Sequence, residues 1–341
     1  MKSVPTRAAV GLTLCHDITE IIPGKLKHAA FKRGHRVRPE DVEHLLRLGK
    51  ENLYIWEAGQ DMVHEDEAAR RLAAAFAGPG VVFCEPSEGR VNFRAARRGL
   101  FVVNRELLDR VNAIPDVTAA TTHGMQAVEK DRLLAGTRVI PLVVAQSSLL
   151  AAEDCCHRAF SPLLSILPFK KHRVAVVVTG REIFEGRVKD GFVPVLRKKF
   201  RAWGSTIFRE QTVPDETSAT AAAILEALSQ GADLICVTGG MSVDPDDRTP
   251  AAIRDVGCDI VVRGVPVFPG AMFMLGYKER VPVLGVPGCV MYQRASVFDL
   301  IVPRILAGQR IVRRDLSDLA HGGLCMNCTR CVYPDCAFGK G

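Results

Sequence analysis

From Arg173 onward the apolar residues fall into short blocks separated by amphipathic stretches. "RVAVVVTG" (173–180) is apolar along its length, β-branched and closed by glycine, the pattern of a strand buried on both faces of a parallel sheet. "GFVPVLRKKFRAWG" (191–204) then places apolar residues at helical spacing, and "STIFREQTV" (205–213) reads as a strand. "TSATAAAILEALSQG" (217–231) is a helix stopped by Gly231, and "ADLICVTGG" (232–240) is a second buried strand. "TPAAIRDVG" (249–257) predicts a helix with Thr249 as N-cap and Pro250 in its first turn. "RVPVLGVPG" (280–288) is a third core strand, followed by a helix over "VMYQRASVFDLIVPRILAG" (290–308). Strand and helix alternate, which predicts a doubly wound, mostly parallel α/β domain over 171–309 with right-handed crossovers.

The preceding segment, 1–165, lacks that regularity. It predicts helices over 38–49 and 64–78, then strand, turn, strand and helix over 89–114, and a strand over 135–145. This mixture predicts an α+β domain. His16, His28, His35, His44, His64 and His123 never fall at metal-ligand spacing, and the segment carries no catalytic signature. Residues 310–341 form a third piece, first basic and then rich in cysteine.

A chain of 341 residues, 48% hydrophobic and 24% charged, has material for two or three ordinary globular domains. No apolar run reaches the length of a membrane span. The N-terminal stretch is interrupted by Pro5, His16 and Asp17 and makes a poor signal peptide, so cytoplasm is the expected compartment. The net charge of +7 is spread, with clusters at 169–173 and 196–201, and few aromatics lie nearby. That argues against a nucleic-acid groove and leaves solvated surface or attraction of a small anionic ligand. Seven of the eleven cysteines are scattered, and most of these sit in apolar surroundings as expected buried thiols.

The chemistry concentrates in "VTGGMSVDPDDRTP" (237–250). Three strands end in glycine: at Thr179–Gly180, at Gly239–Gly240 and at Pro287–Gly288. Open parallel sheets bind ligands outside the carboxyl ends of their strands, where glycine lets backbone N–H groups approach an anion. Asp244, Asp246 and Asp247 would repel a phosphate unless a cation mediates. Mg²⁺ held by Asp247 and by Asp190, which follows the first strand, is one solution. The other reading has these aspartates cap a helix and solvate a turn. Neither a Walker A nor a G-x-G-x-x-G sequence is present, which sets aside a P-loop and the usual dinucleotide site.

"VTGREIFEGRVKDGF", "TGGMSVDPDDRTP", "PGAMFMLGY" and "VPVLGVPG" together resemble the molybdopterin-binding domain of molybdenum-cofactor biosynthesis proteins, a group that includes molybdopterin adenylyltransferases and molybdopterin molybdenumtransferases. The likeness covers about 173–308. It implies that Gly239, Gly240, Met241 and Ser242 hold the pterin and its phosphate. It implies Thr179, Gly180 and Glu182 in a first loop, and Pro269, Gly270, Pro287 and Gly288 lining the pocket. It assigns Asp247 and Asp190 to Mg²⁺-assisted transfer, with ATP or molybdate as co-substrate. It further implies a homo-oligomer that serves a molybdo- or tungstoenzyme of anaerobic metabolism. The alternative is a carrier or sensor that holds the cofactor without turnover. Three departures matter. Asp244 stands where the family has a small residue, "PGCV" places Cys289 and Val290 where the family has asparagine and proline, and the first segment lacks the Asp-Gly-x-Ala signature of molybdenumtransferases.

The tail "CMNCTRCVYPDC" sets Cys325, Cys328, Cys331 and Cys336 at C-x2-C-x2-C-x4-C. Three cysteines at x2 spacing with a proline near the fourth approach the run that binds [4Fe–4S]. Structural zinc sites separate two pairs by a longer loop, which makes zinc the second reading and redox thiols the third.

Overall fold

The first core strand, β1 (Arg173–Thr179), shows why helices cover both faces of the sheet. Val174, Val176 and Val178 turn to one face, Ala175 and Val177 to the other, and none is more than 1% exposed. The first face meets Phe192, Leu196 and Phe200 of α1 (Phe192–Ala202) and Phe298 and Ile301 of α4 (Val297–Leu306). The second meets Ala223, Ile224 and Ala227 of α2 (Thr217–Ser229) and Ile253 of α3 (Thr249–Asp255). Each fully buried Val, Leu, Ile or Phe side chain among them stabilises the fold by about 1.5–3 kcal/mol before conformational entropy is counted.

This computed structural model describes residues 2–22, 26–55, 61–244 and 247–341. The remaining strands of the sheet are β2 (Thr206–Val213), β3 (Leu234–Thr238), β4 (Asp259–Arg263), β5 (Met274–Lys278) and β6 (Val281–Val286). Their order is β2-β1-β3-β6-β5-β4. The first four are parallel, and β5 and β4 add an antiparallel edge. The fold is thus α/β with a mostly parallel sheet, as the alternation predicted. In register, Val178 pairs with Thr238 and Thr238 with Val286, so β1, β3 and β6 end along one edge.

In this domain two local expectations change and one pair of strands is added. The helix expected over 290–308 is a 3-10 turn at Gly288–Met291, then a break, then α4. A capping box starts α4: the Asp299 carboxylate accepts from the Ser296 N–H at 2.9 Å, and the Ser296 hydroxyl oxygen accepts from the Phe298 N–H. The pair β4 and β5 was not legible, because "DIVVR" is short and "MLGYK" has a central glycine and few β-branched residues. Thr249 is the first helical residue of α3 and makes no cap, because its hydroxyl is bonded elsewhere.

The chain divides into two compact units, one of residues 1–96, 103–122 and 131–165, the other of 97–102, 123–130 and 166–341. The cysteine tail belongs to the second unit. In the first, an antiparallel sheet runs in the order Val81–Phe83, Arg90–Ala95, Leu133–Val139, Val117–Thr121. The helix Glu65–Phe76 buries Ala69, Leu72 and Phe76. Arg71 on this helix holds Glu153 of the helix Gln146–His157 through two 2.8 Å hydrogen bonds. The strand expected over 135–145 is two strands, because it breaks around Pro141 and Val143–Ala145 pairs instead with Met62–His64.

Candidate functional site

The loop after β3 turns in a conformation that only glycine adopts freely. Gly239 and Gly240 have φ of 86° and 54°. A Cβ on Gly239 would lie 2.1 Å from the carbonyl oxygen of Thr179, so β1 and this loop touch backbone to backbone. Thr249 closes the loop from its other side. Its hydroxyl donates to the Gly239 carbonyl at 2.9 Å, and its N–H donates to the Gly240 carbonyl at 3.3 Å. The Thr238 hydroxyl at the foot of the loop is fully buried and has no hydrogen-bond partner.

A cavity of about 550 Å³ opens above this turn. Gly239, Gly240, Met241, Ser242 and Asp247 line it from the first loop. Pro269 and Gly270 line it from the segment before β5, and Pro287 and Gly288 from the end of β6. A Cβ on Gly270 would lie 2.4 Å from Val297 Cγ1, so this wall also needs glycine. The structure therefore brings together most of the cofactor-binding residues expected from sequence. Phe192, Ala271, Met272, Val286, Cys289, Met291 and Tyr292 complete the lining. Apart from Cys289, which stands where the family resemblance expects asparagine, they carried no separate signal, although each lies in or next to a glycine- or proline-containing loop. Burial pushes the Cys289 thiol up, which keeps it protonated at neutral pH.

Four expected residues stand elsewhere. Thr179 is buried beneath the loop, its hydroxyl 3.5 Å from that of Thr249. Gly180 is buried and leads into the short helix Arg181–Phe184, on which Glu182 is exposed. Asp190 does not line the cavity. Its two carboxylate oxygens accept the N–H groups of Phe192 and Val193 at 2.9 and 2.8 Å, which caps α1 and seats Phe192 in the cavity wall. The expected Asp190–Asp247 pair on a shared Mg²⁺ is thus not assembled in the cavity. Asp247 alone lines it, and it also folds its own turn, accepting from the Asp244 N–H at 3.0 Å and donating its N–H back to the Asp244 carbonyl. Asp244 is exposed, and Asp246 lies outside the described residues.

Among the described residues lining the cavity, Asp247 is the one carboxylate, and none is a lysine, arginine or histidine. An anionic ligand would therefore meet backbone N–H groups and one carboxylate, with no cationic side chain to neutralise it. One carboxylate together with the phosphate oxygens of a ligand is a fitting donor set for Mg²⁺.

The tail builds a second, smaller cavity of about 110 Å³ in the same unit. Cys325, Cys328, Cys331 and Cys336 all line it, as do Gln293, Arg294 and Ala295. All eleven cysteines of the chain are free thiols. Among the described residues no three His, Cys, Asp or Glu side chains stand close enough to hold a metal ion. The four tail cysteines thus share one cavity without converging on a point. A third cavity, of about 440 Å³, lies in the first unit along 118–122 and 133–138 and contains none of the residues expected to carry chemistry.

Fold and site together define an open α/β domain that presents a ligand pocket on glycine-rich loops at the carboxyl edge of a mostly parallel sheet. Residues 175–307 match the family described as "Probable molybdopterin binding domain", and this part of the chain is such a domain, of the kind found in molybdenum-cofactor biosynthesis proteins. Residues 3–57 match a family described as a domain of unknown function. A molybdopterin molybdenumtransferase of Synechococcus elongatus is 24% identical over 194 residues, which cover 54% of this chain and 45% of that protein. A CinA-like protein of Citrifermentans bemidjiense is 37% identical over 89 residues, 26% of this chain and 21% of that one. The chain thus spans less than half the length of these relatives. The solved molybdopterin biosynthesis enzyme MoaB of Thermus thermophilus is 22% identical and covers 40% of this chain and 98% of its own, with a TM-score of 0.35. Among the described residues no helix is long and apolar enough to cross a membrane.

Proposed function

We propose that this protein works in molybdenum-cofactor biosynthesis by binding molybdopterin in the cavity above Gly239 and Gly240. The observation that carries the proposal is the left-handed glycine turn held by Thr249, at the shared edge of β1, β3 and β6, opening on a space of about 550 Å³. A phosphate is recognised there by N–H groups brought close by glycine, and the pterin rests against Phe192 and the Pro–Gly pairs.

We further propose that the bound molybdopterin undergoes transfer chemistry assisted by Mg²⁺ on Asp247. In adenylyl transfer a phosphate oxygen of molybdopterin attacks the α-phosphorus of ATP, and pyrophosphate leaves. In metal insertion the two pterin thiols bond to the metal of molybdate or tungstate, and a displaced oxygen leaves as water with the two thiol protons. Mg²⁺, when bound, supplies charge neutralisation. The chain supplies positioning: Asp247 orients the phosphate end, the glycine turn fixes its height, and Asp190 acts indirectly by holding the start of α1. The product would pass to a molybdo- or tungstoenzyme, and assembly as a homo-oligomer and a cytoplasmic setting belong to the same proposal.

A carrier or sensor is the second reading, and Cys289 in the cavity wall favours it, because it replaces the asparagine expected of the family. Single-turnover incubation of protein, molybdopterin and Mg²⁺ with ATP or molybdate separates the two. Adenylylated or metal-loaded pterin in the product supports transfer. Tight pterin binding without product supports the carrier, and absence of pterin binding removes both.

A further inference from the structure

We propose that Cys325, Cys328, Cys331 and Cys336 hold one iron–sulfur cluster, and that loading this cluster fixes the third loop of the pterin cavity. The first part rests on the tail alone, the second on the pterin reading given above. The four cysteines come from twelve residues of sequence and all face one cavity. The spacing separates the two metals: structural zinc sites divide two cysteine pairs by a longer loop, whereas three cysteines at x2 spacing with a proline near the fourth approach the run that binds a four-iron cubane. A four-iron cubane places each thiolate on its own corner, so its ligands ring a volume. The rest of the wall suits it. Ala295, Tyr333 and Phe338 give an apolar lining, and Arg294 supplies one cation beside a cluster that is anionic with four thiolates.

The coupling follows from the way the two cavities share a single stretch of chain. Gly288, Cys289, Met291 and Tyr292 line the pterin cavity. The next three residues, Gln293, Arg294 and Ala295, line the cysteine cavity. A second link runs through Phe268, whose N–H donates to the Gly323 carbonyl at 2.8 Å and whose carbonyl accepts from the Cys325 N–H at 2.7 Å. The two residues after Phe268 are Pro269 and Gly270 of the pterin cavity. A third link is the Tyr333 hydroxyl, 3.3 Å from the Asp299 carbonyl oxygen at the start of α4. Drawing the four thiolates onto a cluster therefore pulls directly on two of the three pterin loops.

The test uses the full chain purified without oxygen. Iron and sulfide are counted, visible absorption and the paramagnetic spectrum of the reduced protein are recorded, and amide hydrogen exchange is followed over 287–295 before and after iron is stripped with a chelator. The expected result is about four irons and four sulfides per chain, lost in Cys331→Ser and retained in Cys84→Ser. Stripping should raise exchange across 287–295 at least about tenfold and weaken molybdopterin binding by a similar factor. Zinc in place of iron, or no metal, would overturn the cluster. A loaded cluster whose removal leaves exchange in 287–295 unchanged would overturn the coupling. Exchange reads the coupling without any pterin, so a protein that binds no molybdopterin in either form refutes the pterin reading alone.

Discussion

The hydroxyl of Thr249 donates to the carbonyl of Gly239 at 2.9 Å, so the first residue of α3 holds the glycine turn that forms the floor of the cavity. Removing this donor leaves the half-buried Gly239 carbonyl short of a partner, at a cost of about 1 kcal/mol. Thr249→Val keeps the side-chain shape and is expected to weaken molybdopterin binding about tenfold with the fold intact. Thr249→Ser should bind like the parent. Fluorescence titration and a melting curve on each variant check both statements, and equal affinity in all three proteins would show that the turn is held without this bond.

Gly239 and Gly288 both line the cavity, yet the chain needs them for different reasons. A Cβ at Gly239 collides with the Thr179 carbonyl at 2.1 Å, whereas at Gly288 it meets nothing within 4 Å. Gly239→Ala is expected to destabilise the second unit by several kcal/mol, on the order of 2–4, from collision plus the left-handed backbone. Gly288→Ala should change stability by less than about 0.5 kcal/mol. Denaturant unfolding of the two variants side by side decides the matter.

How much of this was legible beforehand depends on range. The alternation of Val174, Val176 and Val178 with Ala175 and Val177, and the glycine stops after it, are local, so strand, helix and loop order came through. The gathering of Gly239, Pro269 and Pro287 around one cavity followed from the rule for parallel sheets together with the family resemblance. What was not legible was competition for a group. Asp190 has the spacing of a metal ligand and the spacing of a helix cap, and only the backbone N–H groups of Phe192 and Val193 decide between them. Thr249 looks like a cap for the same reason, but Gly239 takes its hydroxyl. The antiparallel edge was missed because Met, Gly and Tyr carry little strand signal until a neighbouring strand supplies the partner.

Asp190 and Asp247 should therefore separate in experiment. Asp190→Ala removes two cap bonds and is expected to cost about 1 kcal/mol of stability, and to weaken pterin binding through the displaced start of α1. Asp190→Asn keeps an acceptor and should restore most of both. Asp247→Asn is expected to leave stability and pterin affinity close to the parent and to remove Mg²⁺-dependent product in a single turnover. Wild-type turnover in Asp247→Asn would reduce Asp247 to a turn residue.

In the first unit, the hydrogen bonds from Arg71 hold the Glu153 carboxyl below the usual carboxylate range. A carboxyl lowered on folding adds stability above its unfolded value of 4.5, and that stability is lost as pH falls through the folded value. Acid should therefore weaken the parent below about pH 4.5 more steeply than Glu153→Gln, while at pH 7 the variant is the less stable by about 1 kcal/mol. Melting curves from pH 7 to pH 3 test the crossing trend, and parallel curves would show that the pair contributes nothing.

Asp299 offers the opposite sign. It is 8% exposed at the start of α4, paired with Lys199 and accepting the Ser296 N–H, and burial pushes its carboxyl up against the opposing pull of Lys199. A carboxyl raised on folding binds more protons in the native state than unfolded, so its contribution is fully present below the ordinary value of 3.8 and is lost as pH rises through the folded value. Lys199→Met removes the cation that lets this buried group ionise. The loss at pH 7 should be about 3–5 kcal/mol, since a buried charge without its partner is worse than no charge. The same variant should regain stability relative to the parent as pH falls and Asp299 takes up a proton. Lys199→Met with Asp299→Asn removes the charge and keeps an acceptor for Ser296, so it should recover most of the loss and show no such pH trend. Because α4 follows directly on the loop shared by both cavities, the single variant should also loosen molybdopterin binding and the double variant restore it. A Lys199→Met protein as stable as the parent at pH 7, with a flat pH profile, would show that Asp299 is already neutral in the native fold.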